Sequence, residues 1–242
     1  MENETKMGMN RTGMQMSPID GPNQVDYAMS RPADPPQGGS DAIAMFRSHY
    51  IQVASRVGSM PPPATGRGVV ETAKSMLTGN SPEVLLDKLG ERAAYERTGV
   101  RLYEALINKV NASDQPERAN MLADLQHIMN EEFQHFQMLT EVIVGLGADP
   151  TVQTPCADVS GVQALGFLQV LTDPRTTVTQ GLQAILAIEL LDHASWELLI
   201  ELAEGAGQEK LGPQFREALQ AEAEHTVMIR KWLRQCLMQE AT

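Results

Sequence analysis

Two segments ninety residues apart carry the same costly arrangement. EEFQHF (131–136) and EAEHTV (222–227) each set a glutamate and a histidine three residues apart, Glu132 with His135 and Glu222 with His225, among apolar residues of helical spacing. Residues three apart share one face of a helix. That face should be apolar, since burying even one ion costs several kcal/mol. A chain that places such a pair twice must bring both to a common counter-charge.

The surroundings are helical throughout. SPEVLLDKLGERAAYERTGVRLYEALINKV opens with Ser81 as a cap and Pro82 at the first helical position. Leu85, Leu89, Ala93, Val100, Tyr103, Ile107 and Val110 then keep the spacing of one helix face. After the turn NASDQPE, a second helix runs from about 116 to 144 and stops at GLGADP, with Leu125, Ile128, Phe136, Leu139 and Ile143 inward. About thirty residues follow, with room for one short helix. A third long helix is expected from Asp173-Pro174 to EGAG, facing inward through Leu182, Ile185, Trp196 and Ile200. The fourth begins near Pro213 and carries Phe215, Leu219, Ile229, Leu233 and Cys236. No segment reads as a strand. Short, long and short connections predict two antiparallel hairpins joined by a crossover along the bundle.

Each apolar line is interrupted near its middle: by Glu96, by Glu132 and His135, by Glu189, and by Glu222 and His225. Four carboxylates and two imidazoles thus converge. No Lys or Arg is expected on the matching inner positions, and two divalent cations would balance the four negative charges. Neutral imidazole and carboxylate oxygen suit iron, manganese or zinc. The halves also match: setting Glu96 on Glu189 pairs Tyr103 with Trp196, and setting Glu132 on Glu222 pairs His135 with His225. A pseudo-two-fold axis through the site follows.

In this pattern, and in the runs ERTGVRLYEAL, EEFQHF, ELLDHASWELL and EAEH, the chain resembles the ferritin-like di-iron carboxylate superfamily over roughly 81–240, within an uncharacterised bacterial branch. The resemblance implies an all-α ferritin-like four-helix bundle in which Glu132 and Glu222 bridge two metals. By the same likeness His135 and His225 bind one metal each, and Glu96 and Glu189 are terminal ligands. It also implies chemistry with dioxygen or peroxide, as a di-iron oxidoreductase of ferroxidase or peroxidase type in iron or oxidant handling. A manganese catalase-like enzyme is one alternative, and a non-catalytic metal-binding or structural bundle is another. The two cysteines, Cys156 and Cys236, form no four-thiolate rubredoxin module, and the chain runs only a few residues past the fourth helix, which argues against a cage-forming storage shell.

Several acids and histidines read differently. Glu91, Glu104, Glu131, Glu197 and Glu224 are expected on solvated faces, and His127 and His49 at the surface. His193 is at most a neighbour of the ligands. Three roles fit Asp192: an extra ligand, an acceptor for an imidazole N–H, or a surface acid. Tyr103 and Trp196 are expected as core aromatics, and Gly99 as room for a small oxidant.

The remainder of the chain divides into a Pro- and Gly-rich tail without apolar periodicity (1–40) and a helical arm (41–80), with helices expected at 41–58 and 69–80. The bundle occupies 81–242. No apolar run approaches a membrane span, and the first residues carry no apolar signal core, so a cytoplasmic location is expected. The net charge of −12 disfavours nucleic acid as a partner. The expected partners are metal ions and a small oxidant, with a homodimer or larger homo-oligomer compatible with the sequence.

Overall fold

A computed structural model describes residues 18–30, 39–63, 65–66 and 82–242 of the chain. Among these there is no strand. They fall into two compact units, one ending at Arg56 and one beginning at Val57. The first holds α1 (Asp20–Ser30) and α2 (Gly39–Val53). Both are exposed nearly throughout, and Gly21 is the buried residue of α1. Helix α1 thus lies within the stretch read as a tail, and α2 begins at its last two residues and covers most of the helix expected at 41–58. The helix expected at 69–80 lies outside the described residues.

The second unit contains α3 (Pro82–Asn111), α4 (Arg118–Gly145), α5 (Pro155–Thr172), α6 (Val178–Gly205), a 3-10 turn (Glu209–Leu211) and α7 (Gly212–Glu240). Helices α3 and α4 form one antiparallel hairpin, α6 and α7 the other, with α3 against α6 and α4 against α7. The crossover α5 lies along α3.

Local chemistry fixes the crossover. Thr154 caps α5 by accepting from the Ala157 N–H, and Cys156 N–H donates to Asp87 Oδ1 at 2.8 Å. A Cβ on Gly90 would lie 2.5 Å from Thr154 Cγ2, so only glycine lets the start of α5 approach α3 this closely. At the far end, Lys109 Nζ donates to the carbonyls of Asp173 and Thr176 at 2.8 and 3.0 Å.

Two boundaries differ from expectation. The crossover contains an 18-residue helix rather than a short one. The third long helix starts at Val178, because Thr177 and Gln180 form a reciprocal capping box. Asp173 instead ends α5 and accepts from the Arg175 N–H, the local bond that favours a turn over a helix start.

The core is two apolar layers with a polar one between them. Tyr103, Leu106, Leu125, Ile128, Leu182, Ile185, Ile229 and Trp232 build one layer. Leu85, Leu89, Leu139, Ile143, Trp196, Leu199 and Phe215 build the other. Each fully buried Leu, Ile or Phe contributes about 1.5–3 kcal/mol, which lets the bundle carry charged groups at its waist.

Candidate metal centre

Glu96, Glu132, His135, Glu189, Glu222 and His225 are all buried, none more than 8% exposed. Ligand-capable atoms of Glu132, Glu189, Glu222 and His225 lie within 4.8 Å of one another, as do those of Glu96, His135 and Glu222. Glu222 belongs to both groups, so it stands between them. A third group joins Glu96, Glu132 and Glu222 to Asp192. The structure therefore brings together all six residues that the sequence singled out, and adds a seventh.

The atoms that face the centre are short of partners. Glu96 Oε2, Glu132 Oε1 and Glu189 Oε2 are buried without a hydrogen bond. His135 Nδ1 is 2.9 Å from Glu222 Oε1 and 3.6 Å from Glu96 Oε2. His225 Nδ1 is 3.2–3.5 Å from Glu222, Glu189 and Glu132. Buried polar atoms are nearly always paired. Three orphaned carboxylate oxygens converging on one place, with two imidazole nitrogens turned toward the same carboxylates, fit a bound transition metal.

Outward-facing atoms are held instead. Glu189 Oε1 accepts from Tyr103 OH at 2.6 Å. His225 Nε2 lies 2.9 Å from Glu131 Oε2, which fixes the ring with Nδ1 inward, the usual way a carboxylate orients a ligating imidazole. Glu131 is therefore not simply solvated as expected. It is half-buried against His225 and also lies 3.3 Å from Nε2 of the exposed His127. Its signal in the sequence was its place beside Glu132, which gives no indication that it reaches another helix.

Arg92 and Asp192 overturn one expectation. A basic residue does reach the inner face: Arg92 is 2% exposed, and its Nη2 donates to Glu96 Oε1 at 2.6 Å and to Asp192 Oδ1. Asp192 is 1% exposed, so it is no surface acid. Five carboxylates and one guanidinium leave the same four negative charges that two divalent ions would balance. His49 is exposed on α2, and His193 pairs loosely with Glu197 at 3.7 Å.

Without metal, protons do the balancing. Burial pushes Glu132 and Asp192 well above the usual carboxylate range, Arg92 only partly opposing this at Asp192. Burial also raises Glu189, against the opposing pull of His225. Burial works the same way on Glu222, but the two histidines outweigh it and hold this carboxyl down at about 2. His135 would be lowered by burial, yet Glu222 and Glu96 raise it to about 10, and the carboxylates around His225 raise it further. The metal-free imidazoles are therefore cationic, not neutral. A metal must displace those protons.

No protein-family model matches the chain, and no curated protein matches it in sequence. Among solved structures it is similar to an archaeal Dps homologue from Halobacterium salinarum, with a TM-score of 0.51 and 15% identity over 76% of this chain and 93% of that chain. At that identity the likeness speaks for the fold alone, the ferritin-like helical bundle.

Proposed function

We propose that this chain is a di-metal carboxylate protein that binds two transition-metal ions, iron foremost and manganese as the alternative, and acts as an oxidoreductase on dioxygen or peroxide in iron or oxidant handling. The observation that carries this reading is the convergence of orphaned carboxylate oxygens and inward-facing imidazole nitrogens on one buried centre. Glu132 and Glu222 would bridge the ions, His135 and His225 would each bind one, and Glu96 and Glu189 would be terminal. Bound iron or manganese would supply the electron transfer. The chain supplies the rest. Its two apolar layers exclude water, Tyr103 and Arg92 orient the terminal glutamates, and Glu131 takes the outer N–H of His225.

One observation favours a second reading, a centre that binds metal without turnover. The space expected beside Gly99 for a small oxidant is filled by Glu132, whose Oε2 lies 2.3 Å from where a Cβ would be. Metal analysis of protein purified without added metal, then exposure of the ferrous-loaded chain to air, separates the readings. Oxidation of the bound iron with consumption of dioxygen supports the enzyme, and ferrous iron persisting in air supports the metal-binding bundle. Absence of bound iron and manganese, even after loading, would refute both. Among the described residues no helix is long and apolar enough to cross a membrane.

A further inference from the structure

The two halves of the centre differ in what supports them: His225 is backed by Glu131, whose counterpart is Ala221, and the two terminal glutamates are held by donors of different charge. Each terminal glutamate turns one orphaned oxygen inward and has its other oxygen held by a donor on α3. For Glu189 the donor is the neutral hydroxyl of Tyr103, at 2.6 Å. For Glu96 it is the guanidinium of Arg92, also at 2.6 Å. The internal repeat explains the exchange. Trp196 is the counterpart of Tyr103, but its Nε1 is buried without a partner, and Glu96 is held by Arg92 instead. Arg92 has Ile185 as its own counterpart, and Asp192 has Gly99, so this ion pair exists on one side only.

The consequence is electrostatic. A guanidinium is permanently cationic, and its charge-assisted bond withdraws more electron density from a carboxylate than a phenol does. It also repels an approaching dication, as Tyr103 does not. Asp192 moderates this by sharing the guanidinium, and lies within ligand distance of Glu96, Glu132 and Glu222. Exposure differs in the same sense: His135 is 8% exposed and His225 is fully buried.

The geometry points to two unequal metal positions, with Arg92 as the residue that sets their difference. The position served by Glu189 and His225 fills first and retains its ion. The position served by Glu96 and His135 fills second and exchanges. This rests on the dinuclear reading above.

The test is an anaerobic titration of the full-length, metal-free chain with cobalt(II), followed by visible absorption and by heat. Two ions per chain should bind in two resolved steps. Arg92→Gln should tighten the second step by about tenfold and leave the first nearly unchanged. Asp192→Asn, which leaves Arg92 to Glu96 alone, should weaken the second step by about tenfold, the lower end of the usual range for groups behind metal ligands. His135→Ala should keep only the tight step. Fewer than two ions per chain in the parent protein would refute the dinuclear reading itself and this inference with it. Two ions in indistinguishable steps, or variants that move both steps alike, would overturn the role of Arg92 alone. If Arg92→Gln does not fold, the near-isosteric Asp192→Asn decides: an unchanged second step refutes the inference.

Discussion

Gly99→Ala tests the geometry of the centre with a single methyl group. A Cβ at Gly99 would lie 2.3 Å from Glu132 Oε2 and 3.1 Å from Glu132 Cδ. Side-chain carbons do not approach closer than 3.0 Å, so the Glu132 carboxylate must retreat by at least 0.7 Å. It moves as a rigid group, and its other oxygen, the orphaned Oε1, moves with it. A ligand constellation tolerates only about 0.5 Å of displacement. Glu132 stands in the group with Glu189, Glu222 and His225 and in that with Glu96, Asp192 and Glu222, but not in that of Glu96, His135 and Glu222, so the position served by Glu189 and His225 is disturbed most. Metal affinity should fall by about 10–100-fold. Metal-free stability should change little, because two terms oppose. Alanine for glycine inside a helix contributes about 0.8–1 kcal/mol, and crowding the centre costs about 1–3 kcal/mol. Gly166→Ala is the control, since its Cβ would meet nothing within 4 Å. It should gain helix stability and bind metal normally. The assay is anaerobic titration with manganous or ferrous ion, with metal-free melting followed by circular dichroism. A folded Gly99→Ala protein that binds two ions with parental affinity would refute the placement of Glu132 at the heart of the site.

Three further outcomes follow from the same geometry. Glu132→Ala with Glu222→Ala should abolish the dinuclear site, and two ions retained by that double variant in metal analysis would contradict the ligand assignment. Metal at 100 times its dissociation constant should stabilise the fold by about 2.7 kcal/mol, about 5–10 °C in melting temperature for a domain of this size. The gain should be smaller at pH 5 than at pH 7, because the ion competes with protons on His135, His225 and the raised carboxyls; an equal shift at both pH values would show that no proton is displaced. Deleting residues 1–40 should leave the number of bound ions unchanged by metal analysis, since among the described residues the groups able to hold a metal lie between Glu96 and His225.

The metal-free fold has its own pH dependence, and the sign differs by group. His135 is raised to about 10, so its contribution is complete below about 6.5 and lost as pH climbs through 10. Protonated Glu132 acts in the same direction, favouring the fold below the ordinary carboxyl range and losing that contribution as pH rises. Glu222 opposes them: its contribution is present above about 4.5 and is lost as pH falls toward about 2. Between pH 6 and 10 the metal-free protein should therefore melt at progressively lower temperature, while the metal-loaded protein should not. A flat metal-free profile would mean that solvent reaches the centre and screens it.

Helix identity was legible because it depends on near neighbours. Apolar residues three and four apart define the inward faces, and each interruption of those lines is a residue the structure places at the centre. The crossover was harder. Its helix has several exposed apolar residues, including Val162 and Leu165, so no clean face marks it, and its start is set by the approach of Thr154 to Gly90 on another helix.

Arg92 and Asp192 show where local reading stops. Arg92 lies three residues after Leu89 and four before Glu96, so the spacing admits it to the inner face. A lone buried guanidinium is nevertheless prohibitive, as is a lone buried Asp192. Each becomes tenable only through the other, a hundred residues away, and no property of either segment alone announces that meeting. Their charges cancel, which is why the balance of two divalent ions against four negative charges came out the same with both residues left out. The arithmetic was insensitive to them, but the symmetry is not. A pair that adds nothing to the net charge still places its cationic end beside one terminal glutamate and nothing comparable beside the other. The difference between the two ion positions therefore resides in the residues that a charge count cannot detect.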